Sequence, residues 1–236
     1  AEEQASKLPG VICPRVGGVD DALMLGNQLL LAQDASYPVQ SNEYRVKKHS
    51  IAAVAKAVQT LALPPAEWCS GMPAEIDSAL AVFAGYAMLD AWIANQDRHH
   101  ENWAALRAGE KLHLAPTFDH GAALARNLSD AEREERLTTK DRGRHIKSFV
   151  RRARSAFFAT EQAAKPMGTV AAWQAFADLV SPATDAWLAR LAAIRDEQIE
   201  ACLLAVPPHR LSPIAREFTL ALLYENRQRL LTGDEP

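Results

Sequence analysis

The chain has 236 residues, 48% hydrophobic, 23% charged and 7% aromatic, the composition of a folded globular protein with one main core rather than of a disordered or fibrous chain. A formal net charge of −3 and a pI near 6.2 give no overall attraction to phosphate backbones or anionic lipid, so nucleic-acid binding is not expected. The longest uncharged apolar run, Ala79 to Leu89, is cut by Asp90, well short of the ~20 apolar residues that cross a bilayer.

The first residues, "AEEQASKLPG", lack the basic start, apolar centre and small-residue cleavage site of a secretory signal, which makes a cytoplasmic location the expectation. Cys13, Cys69 and Cys202 are far apart and odd in number, so neither a disulfide framework nor a zinc ribbon is expected.

Residues 1–48 carry the least regular pattern, with "PGVICPRVGGVDD" reading as an extended piece before a Gly-Gly turn and Leu23 to Leu31 as a brief helix. Ile51, Val54, Ala55 and Val58 recur at helical spacing behind Ser50, a good cap, and ahead of Pro64-Pro65. From Pro73 a stripe through Ile76, Leu80, Phe83, Ala84, Ala87, Met88, Ala91 and Trp92 predicts a helix of about five turns ending near Asn95. The following "NWAALRAGEKLHLAP" has two short apolar runs about a Gly-containing tip and predicts a β-hairpin with a three- to four-residue loop.

Ser129 and Glu132 form a capping box, so a helix with an acidic first turn should begin near Asp130. Helical periodicity then recurs in "HIKSFVRRARSAFF", "TVAAWQAFADLV", "ATDAWLARLAAI", "DEQIEACLLAV" and "SPIAREFTLALLYENRQRLL", the last opened by Ser212 and Pro213. The fold class expected is mainly α, a helical body with one small β-hairpin. "EEQASK" and "TGDEP" read as frayed ends, and no repeat or low-complexity tract is present.

The chemistry concentrates in "NQDRHHENW", between the predicted helix and the hairpin. Phosphoryl transfer needs a carboxylate to orient the attacking hydroxyl, and oxygen ligands to hold Mg²⁺ against the phosphates. Protein kinases supply a catalytic-loop Asp, an Asn five positions later, and an Asp-x-Gly after a short hairpin. Asp97, Asn102 and Asp119-His120-Gly121 stand in that order and spacing. A glycine at 121 would let the backbone turn beside Asp119. Taken singly, each element reads as loop chemistry: Asn95 as a helix cap, Asp119 and Gly121 as a turn. Together they favour a phosphoryl-transfer site.

"DAWIANQDRHHENW" followed by "LHLAPTFDHGAAL" resembles the HipA-like kinases, whose D-R-H-x-x-N loop is shared with phosphoinositide kinases. The likeness extends through "GNQLLLAQDASYPVQSNEYRVKKHSIAAV" and the helical tail, over residues 26–231. It implies a kinase-like C-terminal lobe, with residues 1–25 as an extended remnant or inter-lobe junction and 232–236 as a disordered tail. It also implies Asp97 as catalytic aspartate supported by Arg98 and His99, Asn102 and Asp119 as Mg²⁺ ligands, His120 and Gly121 beside them on the ATP side, and a protein Ser/Thr acceptor in a toxin-like regulatory role. His99 has two readings, a loop brace or a phosphate neutraliser; His100 and Glu101 are expected to face solvent. A zinc site among His99, His100, His113 and His120 is not expected, because no H-x-x-x-H spacing occurs.

Two departures from the kinase pattern stand out. No Gly-rich loop is found, and Lys7, Lys47 and Lys48 precede Ser50 without a V-A-I-K-like context. The nucleotide lobe is therefore expected to be absent or reduced, supplied by more of the same chain or by a separate N-lobe or antitoxin-like partner. A non-catalytic interaction module and a lipid or small-molecule kinase are the alternatives. The run "KDRGRHIKSFVRRARSAFF" reads either as a patch for an acidic peptide, RNA or phosphate-bearing partner, or as a solvated face whose arginine stems cover the core, and the second is favoured.

Overall fold

The computed structural model describes residues 16–18, 22–38 and 45–233; the extended piece expected at "PGVI" lies outside them. The helix expected over Leu23 to Leu31 divides. Ala22–Leu25 is strand β1 and Gly26–Gln33 is helix α1. The division falls at Gly26 because the first helical amides have no partner within a helix. Here the Gly26 and Asn27 N–H groups donate to the carbonyls of Trp103 and His100, each at 2.8 Å. The expected boundary between residues 25 and 26 thus falls at the β1–α1 junction.

Strand β1 pairs antiparallel with β2 (Ala104–Ala108), which turns into β3 (Lys111–Leu114). Leu25 faces Ala104, and Ala105 faces Leu114. The hairpin loop is two residues, Gly109-Glu110, shorter than expected, because Gly109 at φ 61 takes the left-handed conformation that a tight turn demands. The outer edge of β3 is covered by Ala62, whose N–H and carbonyl bond Leu112 and Leu114 at 2.9 Å.

Helix α2 spans Ile51–Val58, with the Ser50 hydroxyl accepting from the Ala53 amide. Helix α3 spans Ala79–Trp92. It starts later than the apolar stripe suggests because Ser78 caps it, accepting from the Ala81 amide at 3.2 Å. Ile76 is still buried, but from a turn. The remaining helices are α4 (Asp130–Thr138), α5 (Ile146–Arg151), α6 (Thr169–Ala177), α7 (Ser181–Ala193), α8 (Asp196–Leu204) and α9 (Pro213–Thr232). Both bonds of the Ser129/Glu132 capping box are made, and Ser212 caps α9.

Helix α3 is the axis of the body, buried on nearly every side. Phe83 meets Phe157 and Phe176 edge-on with centroids 6.2 and 5.2 Å away. Gly85 lets the Trp187 ring lie against the helix, since a Cβ there would fall 2.4 Å from the indole. Helix α9 fastens the other end: Trp92 Nε1 donates to the Leu223 carbonyl and Asn226 Nδ2 to the Trp92 carbonyl, both at 3.1 Å. The second bond satisfies a carbonyl that the end of α3 leaves open. Helix α9 closes at Gly233 with φ 66, and residues 234–236 of the expected tail lie outside the described ones. No helix among the described residues is long and apolar enough to cross a membrane.

Candidate active site

The loop after α3 is built from the inside out. Ala94, at φ 52, breaks the helix in a conformation that costs a β-carbon residue energy. Asn95 then folds back on Asp90: its N–H bonds the Asp90 carbonyl at 2.8 Å and its Nδ2 donates to Asp90 Oδ1 at 2.8 Å. Asp90 is the charge that interrupts the apolar run, and its role is to hold this loop.

Arg98 completes the frame. Its side chain is 2% exposed, and a buried guanidinium needs all its donors engaged. Nε and Nη2 fork onto the two Asp90 carboxylate oxygens at 2.8 and 2.7 Å. Nη1 donates to the main-chain carbonyls of Asn102 at 2.8 Å and Phe118 at 3.3 Å, and Nη2 reaches His120 Nε2 at 3.2 Å. One side chain therefore ties the end of α3, the loop and the Asp119-His120-Gly121 segment together. Its donors all point inward.

Asp97 stays at the rim, with 41% of its side chain exposed. His99 Nε2 lies 3.9 Å from Asp97 Oδ1. His99 Nδ1 accepts from the Glu101 N–H at 3.2 Å, so the ring proton sits on Nε2, facing the aspartate. Asn102 is buried, and its Nδ2 donates to the Asp97 main-chain carbonyl at 2.6 Å. That bond fixes the amide plane and leaves the Oδ1 side turned away from Asp97's backbone. Asp119 is exposed and sits at φ 51, a conformation Asp tolerates better than most residues. The left-handed residue is thus Asp119 itself, not Gly121 as the sequence suggested. A Cβ on Gly121 would meet Asp119 Oδ1 at 3.5 Å, so the glycine keeps the space beside that carboxylate open.

Burial and then the Arg98 charge lower the pKa of His120, against the opposing pull of Asp90 and Asp119. Arg98 can only donate, so Nε2 accepts from it and from the Thr117 hydroxyl at 2.9 Å, and the proton resides on Nδ1. Neither His100 nor its hydrogen bonds face solvent as expected. His100 is 3% exposed and its Nδ1 lies 2.8 Å from the Tyr37 hydroxyl. Burial lowers its pKa and raises that of Tyr37. Glu101 is exposed, accepting from Asn27 Nδ2 at 3.3 Å. The ligand atoms of His99, His100 and Glu101 lie within 4.8 Å of one another, a grouping of neighbours that spacing rules overlook. Bonds to Tyr37, Asn27 and the Glu101 amide engage one atom of each of these side chains in bracing the loop.

Three residues that hold the site carry a faint sequence signal or none. Asp90 was marked only as a charge inside an apolar helix, which requires a buried partner. Gly26 is needed because a Cβ would fall 2.2 Å from the Trp103 ring. His49 gave no signal: it donates from Nδ1 to the Ala156 carbonyl and accepts at Nε2 from Trp103 Nε1, both at 3.1 Å. Lys48, which lacks the strand context of a phosphate-contacting lysine, is paired with Asp34 at 2.6 Å.

No family model matches the chain, and no curated protein matches it. Among solved structures, the Helicobacter pylori proinflammatory kinase CtkA superposes with a TM-score of 0.64 over 90% of this chain, at 18% sequence identity. The chain spans 66% of the length of that kinase. At this identity the likeness is one of fold: the body described above is a mainly α, kinase-like lobe.

Proposed function

We propose that the chain is the catalytic lobe of an ATP- and Mg²⁺-dependent kinase of the HipA-like type that phosphorylates a Ser or Thr hydroxyl of a protein. The observation that carries this reading is the Arg98 guanidinium, which clasps the Asn102 carbonyl and the Phe118 carbonyl and so joins the Asp97–Asn102 loop to Asp119. In a kinase-like fold, that junction is where phosphoryl transfer needs its carboxylates.

The donor set fits Mg²⁺, a hard cation that takes carboxylate and amide oxygens. Asp119 offers an exposed carboxylate with open space at Gly121, and Asn102 offers an oriented amide oxygen. Bound there, Mg²⁺ would neutralise phosphate charge. Asp97 acts as the base, taking the proton of the acceptor hydroxyl as the hydroxyl oxygen forms its bond to the γ-phosphorus and the bond from that phosphorus to ADP breaks. His99 Nε2 stands 3.9 Å from Asp97 and supports the loop beside it; Arg98, His120 and Asp90 position the loop without touching substrate.

The parts that cover ATP in other kinases come from polypeptide beyond these helices, either more of the same protein or a separate N-lobe or antitoxin-like partner. The matched kinase is longer than this chain, in keeping with that need. A cytoplasmic, toxin-like regulator of a protein target is the setting proposed.

Calorimetric titration of ATP into the chain, with and without Mg²⁺, tests the reading. Metal-dependent binding, with labelled phosphate appearing on protein Ser or Thr, is expected. Absence of binding, both alone and with a complementing lobe, would instead mark a non-catalytic module; label moving to lipid extract would reassign the acceptor.

A further inference from the structure

The segment 140–154 carries seven cationic side chains, Lys140, Arg142, Arg144, Lys147, Arg151, Arg152 and Arg154, against one carboxylate, Asp141. Part of this charge is spent internally. Arg144 pairs with Glu135 at 2.7 Å, and Lys147 approaches Glu225 at 3.9 Å. Arg152 donates to the Gly143 carbonyl, a neutral acceptor that leaves its charge uncompensated. Lys140, Arg142 and Arg154 have no ion pair with the described residues. Lys140, Arg142 and Arg152 are exposed and Arg154 half-buried. The exposed cations form the solvated face expected from the sequence, and several of them have no ion pair among the described residues.

The run also ends beside the catalytic loop. After α5 the chain goes inward, with Ala153, Ser155, Ala156, Phe157 and Phe158 all buried. Arg154 is pinned there: it bridges to Gly168, and its N–H donates to Gln96 Oε1 at 3.3 Å. Gln96 is exposed and immediately precedes Asp97. An uncompensated guanidinium is thus rooted one residue from the carboxylate proposed to receive the acceptor proton.

Resting on the kinase reading above, we propose that Arg142, Arg152 and Arg154 form the docking surface for the protein substrate and select acceptor hydroxyls flanked by acidic residues. With the Arg154 main chain bonded to Gln96, beside Asp97, the acidic residues selected are those within a few positions of the acceptor. Nucleic acid is a poorer fit. Single-stranded recognition needs exposed aromatic faces on which bases stack, whereas Phe157 and Phe158 are buried and Phe149 is covered by the Arg136 guanidinium 4.9 Å from its ring.

The test is fluorescence anisotropy with the full chain, carrying Asp97→Asn so that bound peptide is not turned over. The probes are two labelled peptides, a serine flanked on both sides by glutamates and the same peptide with glutamines. The glutamate peptide is expected to bind about tenfold tighter at low salt, with the preference shrinking as salt rises. Arg142→Ser with Arg154→Ser should remove most of the preference; Lys140→Ser with Arg142→Ser, confined to an exposed turn, provides a second pair if the first misfolds. Equal binding of the two peptides, a preference unchanged in the variants, or tighter binding of an oligouridine than of the glutamate peptide would overturn the proposal. Phosphate transfer by the Asp97 protein separates it from the kinase reading. Charge-selective binding without transfer removes the kinase and leaves the surface, whereas equal transfer to both peptides removes the surface and leaves the kinase.

Discussion

Arg98 and Asp90 form a closed fork, Nη2 to Oδ1 at 2.7 Å and Nε to Oδ2 at 2.8 Å, with both side chains almost wholly buried. Removing one partner strands the other charge away from water, which costs about 3–5 kcal/mol. Asp90→Ala should therefore lower the urea midpoint sharply, and Asp90→Leu combined with Arg98→Met should recover part of the loss. The double variant should still lose Mg²⁺-dependent ATP binding, because nothing then joins the Asn102 carbonyl to that of Phe118. A double variant with wild-type nucleotide affinity would show that the clasp does not position the site.

The two exposed carboxylates should fail in different ways. Asp97→Ala removes a positioned base and should cut phosphate transfer at least ~100-fold with little change in Mg²⁺-ATP affinity. Asp119→Ala should weaken the metal-dependent part of nucleotide binding, read by titration with and without Mg²⁺. Matching effects of both variants on both quantities would contradict the roles assigned here.

What was legible in the sequence was local. Ser50, Ser129 with Glu132, and Ser212 with Pro213 each start a helix through contacts within a few residues, so their pattern suffices. The hairpin between Asn102 and Asp119, on which the proposed grouping of Asp97, Asn102 and Asp119 rests, was legible because its turn is local. Strand β1 was not, since Leu23 to Leu25 become a strand only by pairing with Ala104 to Leu106, distant in sequence. Nor was the start of α3: Ile76 extends the apolar stripe but is buried from a turn, and the Ser78 hydroxyl decides the boundary. His100 looked like a solvent-facing loop residue because sequence does not reveal that α1 and Tyr37 close over it.

Gly26 supplies a direct test of that closure. Any side chain there would overlap the Trp103 ring, the nearest atom being 2.2 Å from a Cβ. Gly26→Ala should push α1 off the loop, breaking the Gly26–Trp103 and Asn27–His100 backbone bonds and costing roughly 1–3 kcal/mol as overpacking does. Faster hydrogen exchange at the Gly26 and Asn27 amides is the specific readout. A fall in melting temperature without it would mean the clash is relieved elsewhere.

His49 should make the lobe sensitive to acid. Its Nδ1 donates to the Ala156 carbonyl and its Nε2 accepts from the Trp103 indole, so a second proton would face an N–H that cannot turn away. Burial, first, and the nearby His100 and His99 rings hold its pKa down to about 3, against the opposing pull of the Ala156 carbonyl. An unfolded histidine takes up its proton near pH ~6.5. Acidification below that value therefore favours the unfolded chain, and the loss accumulates until pH falls to about 3, where the folded protein protonates too. The total is on the order of a few kcal/mol. His49→Gln keeps one donor and one acceptor but does not titrate. Its urea-unfolding free energy should decline less than the wild type's between about pH 7 and pH 4, and parallel declines would show that His49 is not the group responsible.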